Sequence, residues 1–126
     1  MKNHLKNIEK DDKVEPLMTL KKTLASYDET INIMNSLSLD DANRKTLAWA
    51  YINRGDVLQA LGKMETDALG KALLSYEKAI RLAKNLGFEA VENRKILANA
   101  YMRRGDVLRV TGTQRFENWQ HCYENA

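Results

Sequence analysis

The sequence predicts an all-α fold of antiparallel helix hairpins, and three observations carry that prediction. Ala, Leu, Lys, Glu and Arg are plentiful and the 126 residues contain one proline, Pro16. Apolar residues recur at steps of three and four, with no β-branched alternation. The chain also repeats itself: "NRKTLAWAYINRGDVLQALG" (43–62) matches "NRKILANAYMRRGDVLRVTG" (93–112) without a gap, 50 residues apart. A second element, "LKKTLASYDETINIMNSL" (20–37), aligns with "LGKALLSYEKAIRLAKNL" (69–86) at an offset of 49. The two elements alternate along the chain.

Helices are expected near 2–10, 15–37, 39–62, 67–86, 89–112 and 114–125. Pro16 suits the first turn of the second of these. Ser38, with Asp41 three residues on, reads as a capped start, and so does Thr66 with Asp67. Gly62, Gly87 and Gly112 stand where helices should stop in the left-handed conformation. In the first element Leu47, Ala50, Tyr51, Val57, Leu58 and Leu61 form one stripe. In the second, Leu69, Leu73, Tyr76, Ala79, Ile80, Ala83 and Leu86 form another. Short connections between such helices make neighbours antiparallel. The whole chain, 1–126, is expected to be one domain, with a partial repeat at 1–37, a repeat at 38–87 and a partial repeat at 88–126.

Residues 51–58 and 101–108 resemble a known family. Tyr51-x2-Arg54-Gly55-x2-Leu58, followed by Ala72-x3-Tyr76, is similar to the tetratricopeptide pattern W-x2-L-G-x2-Y…A-x3-F. Tyr101-x2-Arg104-Gly105-x2-Leu108 opens a further copy, and Thr23-x3-Tyr27 looks like the worn second helix of an earlier one. The resemblance covers about 14–126. It departs from the family in a period of 49–50 rather than 34, in the insertion around "METDA" (64–68), and in Arg54 and Arg104 standing where leucine is usual. It implies a short right-handed solenoid of stacked hairpins whose first helices line a concave groove for peptide segments. Close helix packing is expected at Gly55, Gly105, Ala72 and Ala79, since glycine inside a helix costs about 1 kcal/mol against alanine. Tyr51, Tyr76 and Tyr101 would fill the spaces between hairpins.

Catalysis finds little footing. His121 and Cys122 are adjacent, so a helix points them about 100° apart. His4 lies at the other end of the chain. No pair of cysteines or of histidines at i, i+4 offers a metal site. Gly62-Lys63 and Gly70-Lys71 lack the spacing and the hydroxyl of a phosphate loop. Asp11-Asp12 and Asp40-Asp41 fall at expected helix starts, where they complement the dipole. Arg-Gly-Asp is not read as an adhesion motif, because a helix sets Arg54 and Asp56 about 200° apart. The chain is therefore expected to be no enzyme and to need no cofactor or metal.

The resemblance places the candidate site in the groove. Trp49, Ile52, Asn53, Asp56 and Gln59 come from one first helix, and Asn99, Met102, Arg103, Asp106 and Arg109 from the next. Trp49 either anchors a partner side chain there or packs beneath the preceding hairpin. Most of these positions change between copies, whereas the pairs Ala50/Ala100, Tyr51/Tyr101, Gly55/Gly105, Val57/Val107 and Leu58/Leu108 do not. A protein or peptide partner is the expected ligand. Net charge is +3, and the 94–115 segment holds six Arg and Lys against Asp106 alone, so binding of nucleic acid or another anion is a lesser alternative.

The array holds fewer than three full repeats and shows no polar capping helix, while its last residues include Phe116, Trp119 and Tyr123. A homodimer, a scaffold segment of a larger assembly or a piece of a longer array is expected. One cysteine, no signal-peptide pattern and no apolar run near 18 residues point to the cytoplasm and away from a membrane.

Overall fold

A computed structural model describes the backbone of residues 2–124 and the side chains of residues 14–112. The described residues form four helices: α1 (Lys2–Asn35), α2 (Asp41–Leu61), α3 (Asp67–Lys84) and α4 (Val91–Glu124). The duplicated elements fall on matching helices, 20–37 and 69–86 on α1 and α3, 43–62 and 93–112 on α2 and α4.

Two expected breaks are absent. α1 runs through Pro16, and α4 runs through Gly112. Both positions are exposed, so water can take the carbonyl that Pro16 leaves without a donor. Glycine at an exposed helical site costs only about 1 kcal/mol. Asp11-Asp12 consequently lie inside a helix rather than at its start.

The helix ends also differ from expectation. Asp40, not Ser38, caps α2: its carboxylate accepts from the Asn43 backbone N–H at 2.8 Å. Ser38 contributes its carbonyl instead, accepting from Asn43 Nδ2 at 2.7 Å. The repeat reproduces this tie in Asn93, whose Nδ2 donates to the Gly87 carbonyl at 2.7 Å. Thr66 occupies the cap position of α3 without a side-chain bond. No glycine has a positive φ among the described residues. Gly62 ends α2 in the right-handed region, and its role is proximity: a Cβ there would lie 2.7 Å from Leu69 Cγ.

Chain neighbours pack on each other, and α2 also meets α4. Gly55 meets Tyr76 and Gly62 meets Leu69, so α2 and α3 run antiparallel. Lys45–Glu92 and Asp56–Arg103 are each 47 residues apart, so α2 and α4 run parallel. One apolar cluster joins Ile31, Leu47, Ile52, Ile80, Leu86 and Ile96. A second joins Leu58, Leu61, Leu69, Tyr76 and Val107, with Leu17, Leu20 and Leu24 of α1 against it. Burying a Leu or Ile in such a cluster contributes about 1.5–3 kcal/mol. Ala72 and Ala79 are wholly buried, as their small size suggested.

The arginines that stand in for leucine have a structural role. Arg54 Nε donates to Asp28 Oδ1 at 2.5 Å, tying α2 to α1. Its other arm donates to Ser75 Oγ on α3. Arg104 Nε lies 3.5 Å from Glu77 Oε1 and ties α4 to α3 in the same way. Asp28 and Glu77 are matching positions of the repeat, as are Arg54 and Arg104.

Candidate partner-binding groove

Because α2 and α4 run side by side, their facing edges leave an open depression of about 460 Å³. Asp56, Gln59, Ala60 and Lys63 line it from α2, and Met102, Arg103 and Asp106 from α4. Five expected groove residues are thus brought together: Asp56, Gln59, Met102, Arg103 and Asp106.

Its polar floor is fixed by a side-chain network. Asp56 Oδ1 accepts from Tyr76 Oη at 2.6 Å and from Arg103 Nε at 2.8 Å. Arg103 also donates to Asn99 Oδ1 at 3.0 Å. Gln59 lies 3.1 Å from the same phenol oxygen. A phenol has one proton, and the shorter contact to the carboxylate takes it; the Gln59 amide then serves best with its NH2 turned toward the oxygen. Burial, and next the Asp56 carboxylate bonded to the hydroxyl, push the Tyr76 phenol far above its ordinary pKa, with Arg103 opposing. The phenol stays protonated, and its bond to Oδ1 holds the Asp56 side chain beside Arg103 of α4.

The remaining expected residues are placed otherwise. Ile52 is fully buried in the core and cannot line a groove. Its position, three before Gly55 on α2, turns it toward the interior, and its change to Met102 in the second copy accompanies a move to the surface. Trp49 is partly buried against the first apolar cluster. Asn53 is half-buried and stands outside the depression's lining. Asn99 acts from behind, through Arg103. Arg109 is exposed, 4.0 Å from Asp106 along the same helix.

Three contributors were not foreseen. Ala60 and Lys63 follow Asp56 by four and seven residues, a spacing that could have flagged them. Tyr76 was read only as packing. Its hydroxyl reaches the groove from α3, which no spacing within α2 or α4 reveals.

Three expected packing positions are open in the second copy. Tyr101 and Leu108 are exposed, and a Cβ on Gly105 would meet nothing within 4 Å. Among the described residues no group of three or more His, Cys, Asp and Glu is placed to hold a metal, and no helix is long and apolar enough to cross a membrane. His4, Phe116, Trp119, His121, Cys122 and Tyr123 lie outside the described side chains.

Comparison with protein-family models, with curated proteins and with solved structures finds no match.

Proposed function

We propose that this chain is a non-catalytic protein-interaction module, a short tetratricopeptide-like stack that takes a peptide or protein segment in the depression between α2 and α4. The observation that carries this reading is the pairing of a fixed polar floor with an open apolar contact. Asp56, Arg103 and Tyr76 hold one another in place, and Met102 stands 60% exposed beside them. Methionine adapts to varied partner side chains, and preorganised polar groups lower the ordering cost of binding. Lys63 adds positive charge to the lining, so a segment with an acidic flank suits the groove best.

The order of helix contacts supports the stacked arrangement, since each helix packs on its neighbours and the two first helices run parallel. The lone cysteine favours a reducing, cytoplasmic setting. The nucleic-acid alternative has weaker support: Arg103, Arg104 and Arg109 each stand beside a carboxylate of Asp56, Glu77 or Asp106.

Affinity capture from the native cell tests the proposal. A bait carrying Met102→Glu and Lys63→Glu should lose the partner that the wild-type bait retains. Equal recovery by both baits contradicts the groove.

A further inference from the structure

The two copies of the repeated first helix carry the same stripe of residues in opposite environments. On α2 the stripe is Ala48, Tyr51, Gly55, Leu58 and Gly62, and all five are buried. α3 covers it, with the Tyr76 ring over Gly55 and Leu69 over Gly62. On α4 the matching residues are Ala98, Tyr101, Gly105, Leu108 and Gly112, identical at every position, and all five are exposed. Tyr51 is 9% exposed and Leu58 1%, against 42% for Tyr101 and 41% for Leu108. No heavy atom comes within 4 Å of a Cβ placed on Gly105 or Gly112. α4 therefore presents a helix-docking face with no helix on it among the described residues, the Lys84 ammonium of α3 reaching its Tyr101 ring at 5.8 Å from the centroid.

We infer that this face binds the same face of a second copy, in an antiparallel α4–α4 pair about a two-fold axis near residue 103. The stripe is its own complement. Its side chains run small, large, small, large at 98, 101, 105 and 108, with spacings of 3, 4 and 3. Reversal keeps the spacing and exchanges small with large. An antiparallel mate thus sets Tyr101 on the mate's Gly105 and Leu108 on the mate's Ala98, twice each by symmetry. This repeats the fit already present inside the molecule, where the Tyr76 ring occupies the space at Gly55.

The other end of the molecule argues against head-to-tail growth. The face of α3 that α2 covers holds Ala68, Ala72, Ser75 and Ala79, all buried. The matching positions of α1 are Thr19, Thr23, Ser26 and Thr30. The hydroxyls of Thr23, Ser26 and Thr30 bond back to α1 carbonyls at 2.7, 3.2 and 2.9 Å. The exposed large apolar residues lie at its two ends, Ile33 and Leu37 near one and Val14 and Met18 beside Thr19 at the other. Over residues 19–30 this face of α1 is thus polar, a feature the sequence did not reveal, and α4 finds no matching mate there. A closed two-fold contact is the symmetric solution.

The stripe lies on the opposite side of α4 from Ala100 and Val107 and apart from the Asp56–Arg103 groove, so dimerisation and groove binding are separately testable. One helix face per chain is less than the roughly 1,200 Å² of a tight interface, and Arg94 and Arg109 of both copies meet at its rim. Association in the micromolar range follows.

Sedimentation equilibrium of the full chain in reducing buffer, from about 1 μM to 1 mM, gives the test. The expected result is a reversible monomer–dimer equilibrium that Leu108→Glu shifts at least tenfold toward monomer. Both variants keep an exposed site exposed, so Gly105→Glu should do the same without unfolding the chain, as checked by circular dichroism. In a Cys122→Ser background, mixing an Ala98→Cys chain with a Leu108→Cys chain should yield the mixed disulfide well above either self-pair. A chain monomeric at the highest concentration overturns the inference. So does a dimer indifferent to both glutamates, or growth beyond two copies.

Discussion

The ring of Tyr76 fills the space that a side chain at Gly55 would need; a Cβ there would lie 2.8 Å from Cδ1. The same glycine recurs at 105 with no neighbour. Gly55→Ala should therefore lower stability by about 1–2 kcal/mol, overpacking outweighing the gain in helix propensity. Gly105→Ala should raise it by about 0.5–1 kcal/mol. Urea denaturation of both variants at one low protein concentration compares the two. Equal effects of one sign would show that the helices do not meet as described.

Arg54 joins three helices, whereas Arg104 joins two. Arg54→Leu leaves the buried Ser75 hydroxyl and Asp28 without their donor and should cost about 1–2 kcal/mol. Arg104→Leu breaks one half-exposed pair and should stay within about 0.5 kcal/mol of the parent. Thermal melts of both variants check the difference.

Asp56 and Arg103 form the contact between α2 and α4 at the groove floor, 28% and 38% exposed at the arginine and the aspartate. A double-mutant cycle with Asp56→Ala and Arg103→Ala should give a coupling of about 0.5–1 kcal/mol, reduced by its partial exposure. A coupling near zero would mean the floor is not held by this pair.

Alkaline unfolding should report Tyr76. Its folded-state pKa lies above the ordinary value of 10.0. The unfolded chain then loses the phenol proton first, so this contribution is complete below about pH 10 and is lost as the pH rises beyond it. Tyr76→Phe should have a flatter alkaline limb than the parent in denaturation curves across about pH 8 to 11, and about 1 kcal/mol less stability at neutral pH. Parallel alkaline limbs would contradict the buried, bonded phenol.

The duplication made the helical order of the fold legible, because two matched elements cannot alternate without imposing a matched pair of helices. Periodicity located the stripes, and the family resemblance named Asp56, Met102 and Arg103 among the groove positions, which the structure brings to one depression. What the sequence hid were properties of contact. Identical residues are core on α2 and surface on α4, since α3 covers the stripe of α2 and no described helix covers that of α4. Ile52 and Met102 share a register position but not an environment. Arg54 looked like a defect in a leucine position until Asp28 and Ser75 stood on either side of it. Gly62 and Gly112 looked like one kind of helix stop, yet one gives way to Leu69 and the other sits inside a helix.

The central claim is that partners enter between α2 and α4. Amide chemical-shift mapping of the isotope-labelled chain, titrated with the segment of the captured partner that binds it, tests this most directly. Shifts concentrated at Gln59, Lys63, Met102, Arg103 and Asp106 are the predicted result. Shifts confined to α1 and the outer side of α3, with those five residues unmoved, would contradict it.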